Sequence, residues 1–343
     1  MRYRLLGNTG LYVSELCLGT MTFGGSGFWS VMGGLAQDNV SALIKDAFDC
    51  GINFFDTANV YSFGESEKLL GQAIKNLGLP RNEIVVATKS TGTMGSQPNS
   101  VGQSRYHIFN EVDASLKRLQ LDHIDLYQFH GFDPLTPFEE SLSALNDLVR
   151  MGKIRSIGLC NMAAWQIMKA LAVSRSRGWS EFASVQAYYT IAGRDLEREV
   201  VPLIEDQKLG LMIWSPLAGG FLSGKVSRDT ELAAGTRRAS FDFPPLNKPR
   251  AFNCIDAMRI IAAEHNATVA QVALAWILAQ KFVSTIFIGA RNADQLHDNI
   301  ASTKLQLSED NMKTLNAISA LQPEYPGWMI ARQAEYRLPP AER

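Results

Sequence analysis

The chain has 343 residues, 46% of them apolar and 20% charged, with a formal net charge of −1. This balance supplies no strongly basic surface, which argues against nucleic acid or an anionic membrane as the main partner. The opening MRYRLLGNTG lacks an apolar signal core and no run approaches the ~18 apolar residues of a membrane span, so a cytoplasmic protein is expected.

In chain order, residues 2–6 and 11–16 flank Gly7-Asn8-Thr9-Gly10, a hairpin signal expected to lid one end of the fold. A buried strand at 16–19 leads into a glycine-rich loop, 20–34, that carries Phe23, Phe28 and Trp29. Apolar residues at helical spacing over 38–50 end at Gly51, a good residue just beyond a helix. Further strands are expected at 53–55, 84–88, 124–129, 154–159, 184–186, 211–214 and 285–288. Helices are expected between them at 66–77, 104–119, 138–150, 164–177 and 197–208. Residues 251–280 read as two helices split near Asn266-Ala267, and 294–301 follows the last strand. Eight strands, each followed by a helix, predict an α/β fold of the (β/α)8 TIM barrel type, one domain over 1–343. A doubly wound sheet is the weaker reading, because GTMTFGG after the first barrel strand lacks the G-x-G-x-x-G spacing.

Long loops follow barrel strands three (90–102) and seven (215–249), at the strand ends where barrel enzymes carry substrate loops. The tail, 322–343, holds Tyr325, Pro326, Trp328 and Tyr336 and is expected near the barrel mouth or at an oligomer contact. The sequence leaves monomer and homo-oligomer both open. Cys17, Cys50, Cys160 and Cys254 form no CxxC pair and have no histidine at metal spacing. They read as reduced thiols, and no metal site is expected.

The chemistry gathers at strand ends. The stretch 51–67, GINFFDTANVYSFGESE, passes from a buried strand into a polar loop with Asp56 and Tyr61. Lys89 closes the apolar VVATK, so its ammonium needs a counterion, and Asp56 one strand away is the natural one. A lysine beside a phenol favours the phenolate, which predicts a lowered pKa for Tyr61 and a role in proton transfer. His130 closes LYQFH and can hydrogen-bond a carbonyl oxygen at the same mouth. Each residue alone is commonly structural; four at one end of consecutive strands argue for a site. GGFLSGK at 219–225 spells the spacing of a phosphate loop, but Val226 stands where Ser or Thr must ligate magnesium, and ATP hydrolysis is rejected.

These motifs resemble the aldo-keto reductase family over almost the whole chain. GINFFDTANVYSFGESE is similar to its first signature, ATK to its lysine motif and IDLYQFH to its histidine motif. The amino-terminal YRLLGNTGLYVSELCLGTMTFGG and the late YPGWM look most like the branch of aryl-alcohol dehydrogenases and potassium-channel β subunits. The resemblance implies a catalytic tetrad of Asp56, Tyr61, Lys89 and His130 and reversible hydride exchange between NADPH/NADP+ and an aldehyde or ketone, with NADH a weaker substitute. It further implies cofactor contacts from Gly19, Thr20, Met21, Asp56, Cys160, Asn161, Gln186, Trp214, Ser215, Pro216, Leu217 and Gly219. Lys225 and Arg238 are added toward the pyrophosphate, and Gly289, Arg291, Gln295 and Asn299 toward the adenosine, with Arg291 assigned to the 2′-phosphate. Cys160 departs from the family's usual serine, which predicts a looser carboxamide contact. Phe23, Trp29, Tyr61, His130 and Phe132 are expected to line a pocket for aryl or bulky carbonyl or alcohol substrates. A cofactor-binding, redox-sensing regulatory subunit with weak catalysis is the alternative that the branch implies.

Overall fold

The computed structural model describes residues 1–228 and 237–339. The strands are β1 (Tyr3–Leu5), β2 (Tyr12–Ser14), β3 (Leu16–Gly19), β4 (Phe54–Asp56), β5 (Val85–Ser90), β6 (Ile124–Phe129), β7 (Ile154–Cys160), β8 (Phe182–Tyr188), β9 (Gly210–Trp214) and β10 (Val283–Ile288). The helices are α1 (Gln37–Asp49), α2 (Glu65–Leu77), α3 (Arg105–Leu119), α4 (Phe138–Arg150), α5 (Ala164–Arg177), α6 (Val200–Gln207), α7 (Arg237–Ser240), α8 (Lys248–Glu264), α9 (Val269–Leu278), α10 (Ala293–Ala301), α11 (Glu309–Ile318) and α12 (Gly327–Glu335). Strands β3 to β10 close into a parallel barrel in the order β10-β3-β4-β5-β6-β7-β8-β9. The expected TIM barrel is present, and α8 and α9 divide where the sequence places the break.

Parallel barrel strands are covered on both faces, so their sequences are almost continuously apolar. Side chains alternate along each strand. Leu18, Phe55, Val86, Tyr127, Leu159, Val185 and Ile213 face outward into the large core shared with the helices. Their neighbours Cys17, Phe54, Val85, Ala87, Leu126, Met212 and Phe287 fill the barrel interior. The same inward register continues one step toward the carboxyl ends with Asp56, Lys89 and Gln128, so a polar layer caps an apolar plug.

The hairpin β1–β2 closes the opposite end. Leu6 and Val13 complete the interior plug, and the Ser14 N–H donates to Asn53 Oδ1 just before β4. Gly7 has φ +59, and a Cβ there would lie 2.5 Å from Ala183 O and Gly210 N, so the turn sits directly on the first residues of β8 and β9. A latch fixes it: the fully buried Glu15 pairs with Arg2 at 2.9 Å and Arg4 at 3.4 Å. Arg4 also donates to Val283 O and Leu278 O.

Of the two long loops, 91–104 runs without regular structure into α3, whose N-cap Ser104 accepts from His107 N. The other contains a 3-10 turn (Phe221–Ser223) and α7. Its residues 229–236 lie outside the described residues, as do 340–343 of the tail. Among the described residues, no regular helix starts at the GxxxxGK spacing. Helices α11 and α12 are additions to the sequence reading. The tail is tied by Arg198, which donates to Gln322 O and pairs with Glu324 at 3.0 Å, while α12 buries no residue.

Candidate active site

The polar layer at the carboxyl ends of the strands is one connected network. Lys89, fully buried, donates through Nζ to Asp56 Oδ2, and to Thr57 O at 2.6 Å. The other carboxylate oxygen, Oδ1, accepts from Gln128 Nε2 at 2.9 Å and Gln186 Nε2 at 3.3 Å. Gln128 Oε1 accepts from Gln186 at 3.0 Å and from the Cys160 thiol at 3.7 Å. Burial pushes the Asp56 carboxyl up, opposed by Lys89 and the two amides. Burial would lower the Lys89 ammonium, but Asp56 and the surrounding acidic groups hold it above its ordinary value. Lys89 therefore stays a cation, in contact with the Asp56 carboxyl.

Tyr61 and His130 stand over this layer. Lys89 Nζ lies 5.0 Å from the centroid of the Tyr61 ring. The rings of Tyr61 and His130 meet edge-on at 5.8 Å, and Trp29 meets Tyr61 at 5.3 Å. The lowered Tyr61 pKa expected from the sequence is corrected here. Burial raises it above the ordinary phenol value and outweighs the opposing Lys89 charge. Tyr61 is therefore a protonated phenol at neutral pH, suited to giving a proton. Burial and then Lys89 push His130 down to about 3, so its imidazole is neutral.

Tyr61 is presented by an unusual turn. Ser62, Phe63 and Gly64 have φ of +49, +54 and +87, three left-handed residues in succession. A non-glycine residue in that region costs roughly 1–2 kcal/mol, so packing must hold the turn. Ser62 Oγ donates to Phe23 O, and Ser66 Oγ donates to Thr20 O.

The cofactor positions that the resemblance implies divide into three groups. Asn161, at φ +55, accepts from Trp214 Nε1 at 2.9 Å and donates to His130 O at 3.1 Å. It thereby fixes the Trp214 ring at the mouth beside His130. Gln186 has its amide hydrogens directed at Asp56 and Gln128, so only its oxygen is left for a ligand. Cys160 is buried and its thiol is pushed well up by burial, which keeps it protonated. Gly19 ends β3 and Thr20 and Met21 follow it; Thr20 is buried with its hydroxyl on Ser66.

In the loop after β9, Ser215 Oγ accepts from Gly219 N, Pro216 is buried, Leu217 is half-buried and Lys225 is exposed. Arg238 departs from expectation. It is 4% exposed, donating to Ala218 O at 2.7 Å, Pro244 O at 2.8 Å and Asp242 at 2.9 Å. Most of its donors go to the loop's own carbonyls and to Asp242, so it braces the loop and offers little to a pyrophosphate.

At the far end, Gly289 and Arg291 are exposed. Arg291 donates to Met32 O at 3.2 Å, Gln295 Oε1 accepts from Arg291 N, and Asn299 donates to Gly289 O. Asn292 caps α10 by accepting from Gln295 N, and the exposed Arg291 immediately precedes that helix start. That combination fits a phosphate-bearing nucleotide.

The substrate-lining set also changes. Phe23 is fully buried in the outer core, not at the mouth, because the chain after β3 turns inward to pair Phe23 with Leu35. Phe132 leans on Phe138 at the start of α4. Trp29 lies against Tyr61, and Phe28 from the same glycine-rich loop links it to Phe241 and Phe243, which the sequence did not single out. Phe28 meets Trp29 and Phe241, Phe241 meets Phe243, and Phe243 stacks parallel to Trp214 at 5.9 Å and 10°. Gln128 was likewise missed, although it sits two residues before His130 in the inward register.

A buried Lys–Asp pair thus lies under a neutral phenol and a neutral imidazole at the carboxyl ends of barrel strands, and comparison of the whole chain with known proteins decides the family. The chain belongs to the aldo/keto reductase family. Residues 15–320 match it. The chain is 38% identical over 328 residues to an uncharacterized oxidoreductase of Bacillus subtilis, covering 93% of this chain and 96% of the relative. It is 34% identical to a putative aryl-alcohol dehydrogenase of Schizosaccharomyces pombe, covering 91% and 94%. It is 35% identical to the NADH-specific methylglyoxal reductase of Escherichia coli, covering 89% and 94%. Aldo-keto reductases are oxidoreductases of carbonyl and alcohol groups that use nicotinamide cofactors. Among the described residues, no helix is long and apolar enough to cross a membrane.

Proposed function

We propose that the protein is an NADPH-dependent reductase of aldehydes or ketones with aryl or bulky substituents, with Tyr61 as the proton donor. The observation that carries this reading is the neutral Tyr61 phenol, its ring centre 5.0 Å from the buried Lys89 ammonium. A reduced nicotinamide bound at the mouth supplies the hydride. The residues of the chain do the rest. Tyr61 gives its proton to the carbonyl oxygen as negative charge develops there. Lys89 stabilises the phenolate left behind, and Asp56 keeps Lys89 charged and in place. Neutral His130 orients the carbonyl oxygen without competing for the proton.

Asn161, Trp214 and the Gln186 oxygen would hold the nicotinamide end, and Gly289, Arg291, Gln295 and Asn299 the adenosine end. Arg291 supports a preference for the 2′-phosphate, whereas one relative is named as NADH-specific, so the cofactor is the point to test. The aromatic rim of Phe28, Trp29, Phe241 and Phe243 supports planar, aromatic substrates. A cytoplasmic location belongs to the same reading.

The test is fluorescence titration with NADPH and NADH, followed by turnover of an aryl and alkyl aldehyde panel by the unaltered chain and by Tyr61→Phe. NADPH is expected to quench Trp214 at much lower concentration than NADH. Tyr61→Phe is expected to bind cofactor normally and lose about 10²–10⁴ in turnover. Equal affinity for both cofactors removes the Arg291 assignment, and unchanged turnover in Tyr61→Phe removes the proton donor.

A further inference from the structure

The loop that presents Tyr61 is gripped from behind by a buried ionic network that touches neither substrate nor cofactor positions. Glu67, on the first turn of α2, is fully buried. One of its oxygens accepts from Thr88 Oγ1 at 2.6 Å, and the other accepts from Arg118 Nε at 2.5 Å. Thr88 is the neighbour of Lys89 on β5. Arg118, near the end of α3, also reaches Glu111 Oε2 at 3.4 Å and Ser115 Oγ at 3.1 Å. Glu111 Oε2 in turn accepts from Asn59 Nδ2 at 2.8 Å.

Arg118 therefore ties together both sides of the left-handed turn. Asn59 lies two residues before Tyr61, Glu67 lies six after it, and Thr88 lies beside Lys89. The side chain also packs onto the turn itself, since a Cβ on Gly64 would lie 2.6 Å from Arg118 Cδ. Three successive left-handed residues will not keep that shape unaided. Arg118 is 16% exposed, and its two carboxylate partners are 0% and 12% exposed, so the network is largely shielded from solvent screening. An arginine suits this place because its fork reaches two carboxylates at once, which a lysine ammonium does less well.

We infer that Arg118 is a positioning residue for the reaction, setting the Tyr61 phenol over Lys89 through Glu67, Glu111 and the Gly64 turn. This rests on the proposed role of Tyr61. Arg118→Met should lower kcat about tenfold or more while KM and cofactor affinity change by less than about threefold. With proton transfer impaired, the primary isotope effect on kcat from deuterated reduced cofactor should rise, and the alkaline limb of the kcat–pH profile should shift. Arg118→Lys should restore part of the rate. A residue that merely stabilised the fold would lower Tm and leave the isotope effect and pH profile of the folded enzyme unmoved, and that result overturns the inference.

If Arg118→Met does not fold, Asn59→Ala cuts one arm of the network and serves instead. It should lower kcat several-fold at unchanged cofactor affinity, and an unchanged kcat and isotope effect would reject the proposal. Hydrogen exchange over residues 57–67 separates this inference from the functional reading. If the unaltered chain reduces no carbonyl, the functional reading fails. Faster exchange at 57–67 in Arg118→Met then still supports the grip on the loop, and unchanged exchange removes it.

Discussion

Replacing Asp56 by asparagine leaves the Lys89 ammonium in the barrel with Thr57 O as its remaining acceptor. Lys89 is 0% and Asp56 2% exposed, so water does not compensate. Breaking a buried pair by removing one partner costs about 3–5 kcal/mol, or two to three and a half decades in the folding equilibrium. The lower end is expected, because the new amide oxygen can still accept from Gln128 or Gln186. Lys89→Met is milder, about 2–3 kcal/mol at neutral pH, since the carboxylate keeps both of those amide donors. Asp56→Asn/Lys89→Met removes both charges and should be more stable than Asp56→Asn alone, with a coupling of about 3 kcal/mol.

The two single variants should respond to pH in opposite directions. In Asp56→Asn the lysine is held below its unfolded pKa, so the unfolded chain binds the extra proton and the deficit shrinks as pH rises toward that unfolded value. In Lys89→Met the carboxyl is held above its unfolded pKa, so the folded chain binds the extra proton and the deficit shrinks as pH falls. Urea unfolding followed by circular dichroism at pH 5.5, 7 and 9 measures all of this. A coupling below about 1 kcal/mol, the range of exposed ion pairs, would refute the reasoning.

His130 is held down to about 3 by burial and the Lys89 charge, against about 6.5 in the unfolded chain. The unfolded state thus binds the extra proton below about 6.5, and the stability supplied by neutral His130 is lost as pH falls from there toward 3. The slope is at most about 1.4 kcal/mol per pH unit. His130→Asn should flatten the stability profile between pH 6.5 and 4.5, and an identical profile would reject the neutral assignment. At the other end of the barrel, Glu15→Ala removes the carboxylate that Arg2 and Arg4 share and leaves Arg4 only its two carbonyl acceptors. It should lose about 1–3 kcal/mol in urea with kcat unchanged, because the latch lies at the amino ends of the strands; a selective loss of kcat would contradict that separation.

The sequence by itself determined the barrel and its strand ends. Strands covered on both faces must be apolar runs, helices around them must repeat every three to four residues, and both patterns are local. It also placed Asp56, Tyr61, Lys89 and His130 at one mouth, because consecutive parallel strands share a carboxyl end. The tertiary structure decided how those side chains are spent. Arg238 turned inward to its own loop, Phe23 entered the core, and Gln128 emerged as the amide joining Asp56, Gln186 and Cys160. The direction of the Tyr61 pKa was also decided there, since the lysine charge is visible in the motif but the burial that outweighs it comes from distant loops. Hydrogen-bond donors and solvent exposure are shared among residues far apart in the chain, and no local pattern records how they are divided.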